Sequence, residues 1–152
     1  MLRSGLVLAG ARASAARAEG YHREDSLVTA LELAGLDLWG TQLVVLSACD
    51  TGRGTVKLGQ GVYGLRSALV VAGAQTLVTS LWKVEDETTR ELMVGYYRNL
   101  LAGQGRGAAL RSAMRQLRQT RPHPYYWAPF IVIGQDKPLQ GLLPPTRACS
   151  TP

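Results

Sequence analysis

Apolar positions change their spacing several times along this chain, and each change marks an element. In "TQLVVLSA", residues 41 to 48, Leu43, Val44, Val45 and Leu46 are consecutive. Such a run predicts a strand buried on both faces, as in a parallel sheet. In "GQGVYGLRSALVVAGA", Val62, Leu65, Leu69 and Ala72 recur at helical spacing, with Gly73 placed to end the helix. "AQTLVTSLW", residues 74 to 82, is rich in β-formers and predicts the next strand. "EDETTRELMVGYYRNLLAG" predicts a second long helix. Glu85, Asp86 and Glu87 suit its positive N-terminus, Leu92, Tyr96 and Leu100 with Met93 and Tyr97 form its apolar face, and Gly103 stops it. A third helix is expected over 106–120, with Leu110, Ala113, Met114 and Leu117 inward and Arg111, Arg115 and Arg118 on the opposite side. "YYWAPFIVIG" predicts a last strand, with Pro129 inside it marking an edge or bulge.

Upstream, "SLVTALELAGLDL" predicts a short helix capped by Ser26 and ending near Gly35, and residues 11 to 26 read as loop. Downstream, "PLQGLLPPTRACSTP" has the composition of a tail. The expected organisation is a folded region over 1–135 and a flexible tail over 136–152. The order helix, strand, helix, strand, helix, helix, strand argues for an α/β fold, a parallel sheet with helices on its faces. Three strands fall short of the four to six or so usual in a sheet, so part of a sheet is expected.

Composition adds limits. Hydrophobic residues are 46% of the 152 and charged residues 18%, which suits a folded chain. The net charge of +6 permits an acidic partner. No basic block with interleaved aromatics occurs, so nucleic-acid binding is not expected and the arginines read as a solvated surface. Cys49 and Cys149 do not make a disulfide framework, and no apolar run is long enough to span a membrane. The first residues, "MLRSGLVLAGARASAARA", imitate a leader only faintly, because Gly5 and Gly10 interrupt the apolar stretch. A cytoplasmic protein with no cofactor, no metal and no membrane contact is the expectation.

The candidate chemistry sits in "LVVLSACDTGRG", residues 43 to 54. Cys49 follows the end of the predicted strand, the place where parallel α/β sheets bind ligands. Gly52 and Gly54 free the backbone to turn. Backbone N–H groups there would favour a thiolate and hold an oxyanion. A buried structural cysteine is the competing reading. A nucleophilic cysteine needs a base. The two histidines are His22, in "EGYHRED", and His123, between prolines in "RPHPYYW". No spacing argument brings either to Cys49.

The segments "LVTALELAGLDLWGTQLVVLSACDTGRG", "GQGVYGLRSALVVAGAQTLVTSLWKVEDETTRELMVGYY" and "HPYYWAPFIVIG", in that order, resemble the CHAT domain. This is a caspase-like domain of clan CD, often found behind tetratricopeptide repeats in bacterial proteins. The resemblance covers nearly all of residues 1 to 135, and "LRSGLVLAGA" is similar to a stretch inside the domain. It implies a caspase-hemoglobinase fold with a mostly parallel sheet, here without its N-terminal strands. It also implies a His–Cys dyad peptidase, with Cys49 as the cysteine after Ser-Ala. The family's His-x-x-Thr-His-Gly motif has no match here, and neither His22 nor His123 fits it.

By the same resemblance, the strand "TLVTSLWKV" would recognise substrate, with an extended peptide adding to its edge. Ser80 and Trp82 would line pockets, and Asp50 and Asp86 would meet a basic side chain. The competing readings are core packing for Trp82, helix capping for Asp86 and turn chemistry for Asp50. The implied function is the nucleophile-bearing, C-terminal half of a cysteine peptidase, inactive alone. The alternative is a non-catalytic interaction module or decayed pseudo-peptidase. Expected partners are a peptide or protein substrate, a tetratricopeptide-repeat region and the missing N-terminal half.

Overall fold

The structure, a computed structural model, describes residues 5–7, 27–47, 60–82 and 85–141. Its elements in chain order are β1 (Gly5–Val7), β2 (Leu27–Thr29), α1 (Ala30–Ala34), β3 (Val44–Leu46), α2 (Gln60–Val71), β4 (Thr76–Ser80), α3 (Asp86–Leu101), α4 (Arg106–Thr120), α5 (Pro124–Trp127) and β5 (Phe130–Gly134). The chain is α/β, as its patterning predicts. It divides into two compact units, residues 1–77 and 78–152.

In the first unit, β1 and β2 pair antiparallel, Leu6 opposite Val28. Neither strand was expected, and Leu27–Thr29 takes the place of the predicted helix start. The cap of α1 is Thr29, not Ser26. The Thr29 side chain accepts from the Glu32 backbone N–H, and the Glu32 carboxylate accepts in return from the Thr29 N–H at 2.6 Å and its hydroxyl at 2.7 Å. This reciprocal box satisfies donors that a helix start leaves open. It also holds the Glu32 carboxyl below its ordinary range, the Thr29 backbone bond being the main cause. α1 packs on α2 through Ala30, Leu33, Leu65, Ala68 and Leu69, all buried. Gly73 ends α2 with a φ of 107°, and a Cβ there would lie 3.1 Å from the Trp39 nitrogen. Only glycine combines that backbone conformation with so close a neighbour.

The three-stranded sheet has the order β3-β4-β5. Just before both strands begin, the Gln75 N–H donates to the Thr41 carbonyl, which makes β3 and β4 parallel across the α2 crossover. Just past the end of β4, the Leu81 N–H donates to the Pro129 carbonyl just before β5 starts, which makes β4 and β5 antiparallel. The sheet is therefore mixed, where the order of elements alone predicted a parallel one. All five residues of β4 are buried, as its central place requires.

In the second unit, α3 buries Thr88, Leu92, Tyr96 and Leu100. Met93 is half-buried and Tyr97 exposed, so the apolar face is a single i, i+4 stripe, narrower than the sequence suggests. α4 buries Ala109, Leu110, Ala113 and Leu117 against it, and Gly95 lets the two helices approach, a Cβ there lying 3.4 Å from that of Ala113. The Asp136 carboxylate closes the start of α4. It accepts from the Gly107 N–H at 2.6 Å and the Ala108 N–H at 3.2 Å, and pairs with Arg111 at 3.2 Å. Those bonds hold its carboxyl below the ordinary range, the Gly107 bond contributing most. Pro129 precedes β5 rather than interrupting it, and Tyr125 to Trp127 form a helical turn, not strand. Among the described residues no helix is long and apolar enough to cross a membrane.

Candidate functional site

β3 delivers the chain to Ser47, and α2 carries it back to β4 alongside. The connection between β3 and α2 thus leaves the carboxyl end of a parallel strand. It is the place where α/β sheets collect their chemistry. Cys49 and Asp50 belong to this connection in sequence, and both lie outside the described residues, as do His22 and Cys149.

The other candidate residues follow β4. Ser80 is its last residue and only 5% exposed, so its hydroxyl faces the interior. Trp82 is half-buried, and its indole N–H donates to the Tyr125 carbonyl at 3.2 Å. That bond ties the segment after β4 to α5 and fixes one edge of the ring. Asp86 is exposed at the first position of α3. The cap is the preceding residue, Glu85, whose carboxylate accepts from the Thr88 hydroxyl at 3.1 Å. Asp86 is therefore not the capping residue, and its carboxylate stands in the first turn, where negative charge suits the helix N-terminus.

The expected addition of a peptide to the edge of β4 is corrected by the sheet order. β4 lies between β3 and β5, so both its edges already carry ladder bonds. The Leu81 N–H beyond its end is also taken, by Pro129 at 2.7 Å.

His123 has a structural task. It caps α5, its Nδ1 accepting from the Tyr125 N–H at 3.2 Å, with Pro124 next at the first helical position. A cap followed by proline is a helix-start signal that the sequence carried and the strand reading of "YYWAP" passed over. Around it stand Tyr125 and Tyr126, ring centroids 5.3 Å apart and nearly perpendicular, and Trp127, whose indole N–H donates to the Pro122 carbonyl. A groove of about 590 Å³ runs between α3 and α4, lined by Arg90, Glu91, Val94, Arg98 and Gln116 among others. None of Ser80, Trp82 and Asp86 lines it. Among the described residues no three His, Cys, Asp or Glu side chains cluster as a metal site would require.

A profile of the CHAT domain matches residues 1–135. The chain belongs to the CHAT domain family. Two curated relatives agree with this placement. Tetratricopeptide repeat protein 28 of Mus musculus is 35% identical over 112 residues, covering 72% of this chain and 4% of the relative. The Homo sapiens protein of the same name is 34% identical over 115 residues, covering 74% of this chain and 5% of the relative. The chain thus spans about a twentieth of these relatives. Both are mammalian, where the sequence resemblance suggested a bacterial setting. No solved structure matches the chain.

Proposed function

We propose that this CHAT domain chain is the nucleophile-bearing part of a caspase-like cysteine peptidase, with Cys49 as the nucleophile. The observation that carries the reading is the β3–α2–β4 crossover. In that crossover β3 runs parallel to β4, and in the sequence "SAC" follows directly on β3, whose carboxyl end is where such sheets gather their chemistry. In the proposed reaction the Cys49 thiolate attacks the scissile carbonyl. The S–C bond forms as the C–N bond breaks, and an imidazolium gives its proton to the leaving amine. Water then attacks the thioester, returning the thiol and releasing the carboxylic acid.

The imidazole comes from outside these 152 residues. No His-x-x-Thr-His-Gly occurs among them, and His123 Nδ1 is already an acceptor for the Tyr125 N–H. The isolated chain is accordingly inactive, since catalytic groups that act as a unit lose most of the rate when one is missing. Trp82 is proposed as a pocket wall, because its ring is half-buried and held at one edge. Asp50 and Asp86 are proposed partners for a basic substrate side chain, and buried Ser80 supports the segment that carries Trp82. The tetratricopeptide repeats in the relatives' names make a repeat region the proposed neighbour on a longer polypeptide.

The test is a peptidyl acyloxymethyl ketone with arginine next to the warhead, read by intact mass. A longer polypeptide that includes this chain is expected to take up one label, and its Cys49→Ala variant none. If the Cys49→Ala form still labels or cleaves, another residue is the nucleophile. If the longer polypeptide neither labels nor cleaves, the domain is a non-catalytic interaction module.

A further inference from the structure

We propose that the arginine face of α4 is a docking surface for an acidic helical segment of a protein. α4 carries Arg106, Arg111, Arg115 and Arg118 and not one acidic residue. Arg106 is buried with the apolar side of the helix, while Arg111, Arg115 and Arg118 are exposed. Their spacing of four and three puts them in one stripe down the outer face. Arg121, just past the helix end, continues it.

Each guanidinium is held by the chain's own groups. Arg111 pairs with Asp136 at 3.2 Å. The Arg115 Nε donates to the Arg111 carbonyl at 3.4 Å. Arg118 lies over the Trp127 ring at 5.5 Å, and Arg121 over the Tyr126 ring at 5.7 Å while also facing Glu91 at 3.7 Å. Freely solvated arginines would sample many rotamers. These contacts narrow the rotamers of the four, which lowers the ordering cost that a partner meets. A guanidinium held over a ring face by its cation–π attraction still has N–H donors that can fork onto a carboxylate. Like charges four apart also weaken a helix, and a docked acid relieves that repulsion.

The stripe from Arg111 to Arg118 spans about 10 Å at 1.5 Å per residue. A helix with glutamates at i, i+4 and i+7 presents carboxylates at that repeat. A single-stranded nucleic acid would need free aromatic faces for its bases, whereas Trp127 and Tyr126 already carry the chain's own guanidiniums; a duplex, held through its phosphates, is separated from an acidic helix by the test below. A membrane surface would need an apolar wedge beside the charges, and none of the large apolar side chains that stand exposed belongs to α4.

The test is fluorescence anisotropy of a labelled helical peptide of about four turns, with glutamate at i, i+4 and i+7, titrated with the 152-residue chain. A control peptide carries glutamine at those positions. The glutamate peptide is expected to bind, more weakly as salt rises, and the control not to bind. The Arg115→Gln/Arg118→Gln variant leaves the Arg111–Asp136 pair intact and should keep the wild-type far-ultraviolet spectrum. Its affinity is expected to fall about tenfold, for two exposed ion pairs lost. Arg115→Lys/Arg118→Lys should recover part of it. Equal binding of both peptides, unchanged affinity in the glutamine variant, or absence of binding at millimolar chain would overturn the proposal. So would tighter binding of duplex DNA or of phosphatidylserine vesicles at the same salt.

Discussion

Asp136 sits one residue beyond the span matched by the family profile, yet it closes the N-terminus of α4. Replacing it with alanine removes two acceptor contacts to backbone N–H groups and one ion pair. Loss of a capping acceptor costs about 1 kcal/mol, and a carboxylate at a helix N-terminus adds roughly 0.3–1 kcal/mol. The Arg111 pair is worth little, since the two side chains are 62% and 46% exposed, and such pairs contribute at most about 1 kcal/mol. Asp136→Ala should therefore lose about 1–2 kcal/mol. For a chain of this length that lowers Tm by about 3–6 °C. Asp136→Asn keeps an acceptor without the charge and should lose about half as much. The folded-state carboxyl titrates below its ordinary value of 3.8. Its stabilisation is thus complete above that value and is lost as pH falls through the lowered one. Urea unfolding at pH 7 and near pH 3 checks both points. An unchanged midpoint for Asp136→Ala at neutral pH would refute the cap. So would a gap between wild type and variant that stays constant into acid.

Two further perturbations probe the rest of the fold. Gly73→Ala puts a Cβ at a φ of 107° and 3.1 Å from the Trp39 nitrogen; a loss of about 1–3 kcal/mol is expected in thermal unfolding, and a neutral result would refute the glycine requirement at this turn. Tyr96 is fully buried, and its hydroxyl has no hydrogen-bond partner, so Tyr96→Phe is expected to be neutral or stabilising by up to about 1 kcal/mol. Burial, then the charge of Tyr97, pushes the Tyr96 hydroxyl up to about 12 against a lowering by Arg106. Burial disfavours the ionised form in the fold, so this group leaves stability unchanged below pH 10 and lowers it as pH rises from there to about 12. An absorbance titration that finds every tyrosine ionised together near pH 10 would contradict this.

The sequence is legible where a regular period lasts several turns. Leu92, Tyr96 and Leu100 define α3, and α4 occupies the same residues, 106–120, that the Leu110/Ala113/Leu117 pattern predicts. β4 is legible as a β-rich run between two glycine-ended segments. Three-residue strands such as β2 hold no period, so a helix pattern in "SLVTALELAG" absorbs it and Ser26 displaces Thr29 as the cap. Strand direction was set by the order of elements, which cannot see that three helices between β4 and β5 return the chain the opposite way. Arg106 and Asp136 were missed for the same reason. A buried arginine and a cap supplied from 29 residues away are tertiary facts, without local signature. Among the candidate residues, Trp82 and Asp86 were named from the sequence as expectations, while the bond from Trp82 to Tyr125 joins positions 43 apart and has no local signature.

That last bond bears on how the second unit comes together. The Trp82–Tyr125 contact closes a loop of 43 residues, and the β4–β5 ladder begins next to it. Closing so long a loop is entropically costly until its interior is ordered. Its interior is α3 and α4, two helices whose backbone bonds are local and which pack on each other. The expected order is therefore that the helical pair forms first and shortens the effective loop, with β5 joining last beside the segment that carries Trp82; pulsed hydrogen exchange that protects β5 before α3 and α4 would refute it.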